Sequence, residues 1–97
     1  MYLIVVRVRE NRVLVEGHAN YAEPGRDIVC AGVSTLAQTL ISSIEELTND
    51  KIEVVLKSGF IKIDYKNLSK KAQTLVDSFF IGVEMIANEY PEYVRIM

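Results

Sequence analysis

The sequence predicts an α+β domain, a small antiparallel or mixed sheet of four to five strands with two long helices packed on one face. Three observations carry this reading. Short runs rich in Val and Ile alternate with a two-residue period near Tyr2–Arg9, Val13–Glu16, Ile52–Leu56 and Phe60–Tyr65, the pattern of half-buried strands. Two longer segments repeat apolar residues at steps of three and four, the stripe of an amphipathic helix. Their order is strand, strand, helix, strand, strand, helix and a possible last strand, which is not the strict alternation of a parallel α/β fold. The 97 residues suffice for one core and not for two, so residues 1–97 read as a single domain.

In the first strand Tyr2, Ile4, Val6 and Val8 share one phase, and Leu3, Val5, Arg7 and Arg9 the other. Apolar residues on both phases near its start imply that the outer face of the sheet is partly covered, which a homodimer contact would do. Glu10-Asn11-Arg12 interrupts the run, and Val13 and Val15 begin a return strand that ends near Gly17. Residues 18–26 show no period and contain Asn20, Pro24 and Gly25, so they form a loop. Asp27 precedes an apolar series at Val29, Val33, Leu36, Leu40, Ile44 and Leu47 and has the chemistry of an N-cap. That helix runs to about Thr48, where Asn49-Asp50 ends it. Lys57-Ser58-Gly59 separates the next two strands as a hairpin turn. Ser69 caps the second helix, whose stripe comprises Ala72, Leu75, Val76, Phe79, Phe80, Val83, Ile86, Ala87 and Tyr90. Pro91 stops it, and Tyr93–Ile96 has room for a short edge strand. The Phe79-Phe80 pair reads as core packing and Lys70-Lys71 as a solvated face.

Charge and cysteine content exclude several functions. Eleven basic against thirteen acidic residues leave a net charge of −2, whereas a nucleic-acid binder needs a basic surface, so direct nucleic-acid binding is not expected. Cys30 is the only cysteine; an internal disulfide is impossible, and a reducing cytoplasm is the expected location. The apolar start MYLIVVRV breaks at Arg7 and Arg9, short of a membrane span and without a signal-peptide pattern, so no membrane partner is expected. One Cys and one His are too few for an ordinary zinc site, and neither a metal nor a cofactor is expected.

The lone His18 and the lone Cys30 flank the same loop. With Asp27 as N-cap, Cys30 occupies the third position of the helix, where free amides and the dipole stabilise a thiolate. The dipole contributes about 0.3–1 kcal/mol, up to ~2 when partly buried, while one pKa unit corresponds to about 1.4 kcal/mol. A strongly acidified thiol therefore needs a nearby cation as well, and His18 supplies the candidate. A thiolate and imidazolium can attack a carbonyl and then protonate the leaving amine, with helix amides, including that of Cys30, facing the oxyanion. The chemistry implied is acyl transfer or peptide hydrolysis. Ala31 and Gly32 keep the first turn slender and Gly17 removes a side chain beside His18, which admits a substrate backbone, although Gly17 equally suits a strand end and Gly32 a tight contact between helix and sheet. The Ser34 hydroxyl is placed to bond back to the Cys30 carbonyl. Asp27 is either a cap alone or also an orienter of His18. Tyr21 is either a substrate contact or an exposed loop aromatic without function.

The stretch Gly17–Ser34, GHANYAEPGRDIVCAGVS, resembles the signature of the ribosomal-processing cysteine proteases, the Prp family of small bacterial proteins. The matching residues are Gly17, His18, Ala19, Gly25, Asp27, Ile28, Val29, Cys30, Ala31, Gly32 and Ser34. The resemblance implies a cysteine-protease domain over residues 1–97, an endopeptidase that removes a short N-terminal extension from large-subunit ribosomal protein twenty-seven after a pair of phenylalanines. It implies Cys30 as nucleophile, His18 as general base and acid, and Gly17, Asp27, Ala31 and Ser34 as support. It further implies a substrate loop of Ala19, Asn20, Tyr21, Ala22, Glu23, Pro24, Gly25 and Arg26 over the site, and a homodimer. Two other readings use the same residues: a non-enzymatic ribosome-assembly or binding module with a structural or redox-responsive Cys30, and acyl transfer to an acceptor other than water.

Overall fold

The computed structural model describes residues 3–23 and 26–97. Tyr2 at the expected start of the first strand, and Pro24 and Gly25 of the loop, lie outside the described residues. The elements follow the predicted order: β1 (Ile4–Arg9), β2 (Arg12–Glu16), α1 (Ile28–Leu47), β3 (Ile52–Lys57), β4 (Phe60–Tyr65), α2 (Lys70–Glu89) and β5 (Val94–Ile96). They form one five-stranded sheet in the order β3-β4-β2-β1-β5. All pairings are antiparallel except β1 with β5, so the sheet is mixed. The Ile4 amide donates to the Tyr93 carbonyl at 2.8 Å and begins the parallel pairing.

The register decides which residues meet the helices. Val6 faces Val15 across β1 and β2, and Val15 faces Ile61 across β2 and β4. Ile4, Val6, Val13, Val15, Ile61, Ile63 and Tyr65 are buried with the stripe Val29, Val33, Ala37, Leu40 and Ile44 of α1 and with Val76, Phe79 and Val83 of α2. These spacings of three and four put one face of each helix on the same side of the sheet. By length and composition α1 is apolar enough to cross a membrane, a property that the amino-terminal pattern did not signal. Its stripe is instead buried in the core. The helices touch through their glycines: an added methyl at Gly32 would meet Ile86 Cδ1 at 3.2 Å, and one at Gly82 would meet Leu36 at 3.0 Å. Gly32 thus serves contact between the helices, where its sequence position left open a slender turn for substrate or a contact between helix and sheet.

The opposite face of the sheet is charged. Arg7 pairs with Glu16 at 3.1 Å, and Asp64 lies between Arg12 and Lys62. The hydrogen bond from Arg12 holds the Asp64 carboxyl below the ordinary carboxylate range. At the start of α2 the Ser69 Oγ accepts the Ala72 amide at 3.1 Å, while Asp50 accepts the Ser69 hydroxyl and amide at 2.6 and 2.7 Å. Those two bonds also lower the Asp50 pKa from its usual value.

β3 is an edge strand with none of its residues fully buried. Val54 and Leu56 share a face with the buried Ile63 and Ile61 but remain exposed. At that end of the sheet Glu16 pairs with Phe60, β2 stops and the loop towards α1 begins. The functional site lies there.

Candidate active site

Gly17 turns the chain out of β2 with φ of +99°, a region that L side chains rarely adopt. Its amide donates to the Gly59 carbonyl at 2.9 Å, and a methyl on its α-carbon would collide with the Leu3 carbonyl. Backbone geometry and the nearness of the chain before β1 therefore require glycine here, whichever way substrate approaches. His18 follows, exposed, with its imidazole over the turn between β3 and β4. A methyl at Gly59 would stand 2.5 Å from His18 Nε2. Ala19 is then buried and pins the start of the loop to the core.

At the far end of the loop the Asp27 carboxylate joins two segments. Oδ1 accepts the Cys30 amide at 2.9 Å, and Oδ2 accepts the Tyr21 amide at 3.0 Å. Asp27 is thus the N-cap of α1 and a tie to the loop; among the described residues it makes no hydrogen bond to His18. Cys30 occupies the third helical position, half-buried against the core. One sequence expectation changes here. The Cys30 amide is spent on the cap, because the third amide of a helix is the one an N-cap side chain satisfies, and it does not face an oxyanion in this state. A second also changes: no bond forms from Ser34 to the Cys30 carbonyl among the described residues. Ser34 lines the cleft, and the Cys30 carbonyl takes its place in the helical ladder.

His18 and Cys30 line one open cleft of about 570 Å³, together with Gly17, Asn20, Ala22, Asp27, Ala31 and Ser34. No hydrogen bond joins the imidazole to the thiol among the described residues. The other wall was not foreseen: Leu56, Lys57, Ser58, Gly59 and Phe60 of the β3–β4 hairpin complete the cleft, with Gln38 from α1. From sequence Gly59 is a turn residue alone; its nearness to His18 follows from the register of β2 with β4, which no local pattern carries. The cleft lining is more apolar than polar, with Val15, Val33 and Ile61 beneath and Leu56 and Phe60 at the side, a surface that suits an apolar peptide side chain. Tyr21 points elsewhere, packing edge-on against Tyr90 and Tyr93. Among the described residues no group of three metal-ligating side chains occurs.

Gly59→Ala is expected to harm activity more than stability, because the group in its way is a movable ring and not backbone. With φ of +71° at this position, a cost of about 1–2 kcal/mol is expected. Activity should fall by about tenfold or more as the imidazole is displaced. Unfolding midpoints and kcat/KM, measured on the same preparation, check the split.

A thiol on the first turn of a helix that shares one cleft with an imidazole, in an α+β domain, is a combination that a thiol-dependent peptidase would use. The family model of the cysteine protease Prp matches residues 4–95, and the chain belongs to this family of cysteine peptidases. The ribosomal processing cysteine protease Prp of Mycoplasma genitalium is 30% identical over 96 residues, covering 97% of this chain and 94% of that protein. The fold superimposes with a TM-score of 0.88 on the S. aureus ribosomal processing protease Prp in complex with a covalently linked product peptide, at 26% identity, covering 99% of this chain and 97% of the other. The S. aureus protease in complex with a substrate peptide gives a TM-score of 0.83 at 25% identity, covering 100% of this chain and 98% of the other.

Proposed function

We propose that this protein is an endopeptidase that removes the N-terminal extension of large-subunit ribosomal protein twenty-seven, with Cys30 as nucleophile and His18 as general base and acid. The observation that carries the reading is the convergence of the lone thiol and the lone imidazole on one cleft. The names of the relatives, ribosomal processing proteases, supply the substrate class. In the proposed reaction Cys30 Sγ attacks the scissile carbonyl carbon as the thiolate, its proton residing on His18. The C–N bond breaks as His18 gives that proton to the departing amine. Water, deprotonated by His18, then hydrolyses the thioester and frees Cys30. The covalently linked product peptide of the S. aureus protease supports a covalent route. The apolar wall of Leu56 and Phe60 supports a phenylalanine-containing substrate.

A cytoplasmic location is part of the same proposal, supported by a single cysteine that needs no oxidising compartment. So is a homodimer, supported by the half-buried Leu3, Val5 and Leu14, apolar residues on the charged face of the sheet. Incubation with the precursor ribosomal protein, followed by intact-mass measurement, tests the activity. The expected result is loss of one N-terminal fragment ending after two phenylalanines; an unchanged precursor mass contradicts it.

A further inference from the structure

Tyr21 stands between two residues that line the cleft, Asn20 and Ala22, yet its own ring leaves the cleft. It meets Tyr90 with ring centroids 5.4 Å apart and Tyr93 at 5.2 Å, both at 79°. These are edge-to-face contacts, the arrangement that aromatic quadrupoles favour. Tyr90 is the C-cap of α2, and Tyr93 precedes β5. The two rings therefore belong to the carboxy-terminal end of the fold, partly buried against its core and outside the lining of the cleft. The backbone of Tyr21 is tied at the same time to Asp27, which caps the turn bearing Cys30. Asn20 beside it has φ of +50°, a left-handed conformation held between buried Ala19 and the anchored Tyr21.

We propose that Tyr21, Tyr90 and Tyr93 form an aromatic clasp that positions the loop wall of the peptide-binding cleft, making Tyr90 and Tyr93 positioning residues for substrate binding although they do not line the cleft. This rests on the peptidase reading above and adds a group of residues to it. The ring of Tyr21 is directed away from the cleft, so the clasp acts by fixing Asn20 and Ala22 on either side of it. Release of the clasp frees that wall, while Asp27 still caps α1 and Cys30 keeps its place on the helix. The consequence is weaker peptide binding with the chemical step largely intact, which a general loss of stability would not produce.

The test is steady-state cleavage of a peptide spanning the processing site of the precursor by wild type, Tyr21→Ala, Tyr90→Ala, Tyr93→Ala and the three Tyr→Phe variants, with unfolding midpoints recorded for each. Tyr21 is 41% exposed, so its alanine variant folds even where loss of Tyr90 or Tyr93 disturbs the end of α2. The alanine variants are expected to raise KM about fivefold or more, with kcat within about twofold of wild type. The phenylalanine variants, which keep the ring edges, are expected to match wild type. Cys30 alkylation by iodoacetamide is expected to be no slower in Tyr21→Ala, since the small reagent does not depend on the loop wall. A folded Tyr21→Ala with wild-type KM, or with its loss confined to kcat, overturns the clasp. Failure of the wild type to cleave the peptide refutes the peptidase reading instead.

Discussion

Cys30→Ala is expected to abolish peptide cleavage, lowering kcat/KM by about a thousandfold or more, while the protein stays folded. The two effects separate because of where the thiol sits. Cys30 is only half-buried, on the cleft side of α1, and the stripe that holds the helix in place is Val29, Val33, Ala37, Leu40 and Ile44. Removing one sulfur atom from the edge of that core costs about 1 kcal/mol or less, a midpoint shift of roughly 4–8 °C at most for a domain of this size. No other thiol exists in the chain to take over the attack. Cleavage of precursor or peptide by purified Cys30→Ala at more than a few per cent of the wild-type rate would show that another group is the nucleophile.

The largest stability effect is expected at Gly17. Gly17→Ala should destabilise the fold by about 2–4 kcal/mol and lower the unfolding midpoint by about 10 °C or more. Two separate obstacles meet there. The positive φ of +99° disfavours any side chain, and the new methyl collides with the Leu3 carbonyl, a backbone atom that cannot rotate away. Relief would require moving the residues before β1 or breaking the 2.9 Å bond from the Gly17 amide to Gly59. Asn, which tolerates left-handed backbone better than Ala, should not rescue the fold because the steric obstacle remains. Calorimetric midpoints for the wild type and both variants test this; an unaltered midpoint in Gly17→Ala would refute the close approach of Leu3.

What could be read from the residues depended on how locally each feature is determined. The helix starts at Asp27 and Ser69 were legible because a cap is a bond to an amide three residues away. Strand and helix identities followed from their periods for the same reason. The parallel pairing of β5 with β1 was not legible, since the three residues Val94–Ile96 take their direction from the crossover through α2. Nor was the role of Gly32, where helix meets helix and not sheet, because the crossing of α1 and α2 is a tertiary fact.

The site divides in the same way. His18, Asp27 and Cys30 stand out as rare or cap-forming residues on one short stretch. The hairpin wall from Leu56 to Phe60 reaches the cleft only because Glu16 pairs with Phe60 across the sheet. Periodicity within β3 and β4 contains no trace of that register. Tyr21 was ambiguous for a related reason: its partners Tyr90 and Tyr93 lie about 70 residues away in sequence and meet it only after α2 has packed.

The pH profile of Cys30 alkylation by iodoacetamide, compared between wild type and His18→Ala, probes the cooperation of the two groups without any assumption about substrate. The wild-type thiol is expected to be alkylated about tenfold or more faster than that of His18→Ala at neutral and mildly acidic pH, because an imidazole that takes the thiol proton supplies the reactive thiolate. Superimposable profiles for the two proteins would contradict a Cys30–His18 couple.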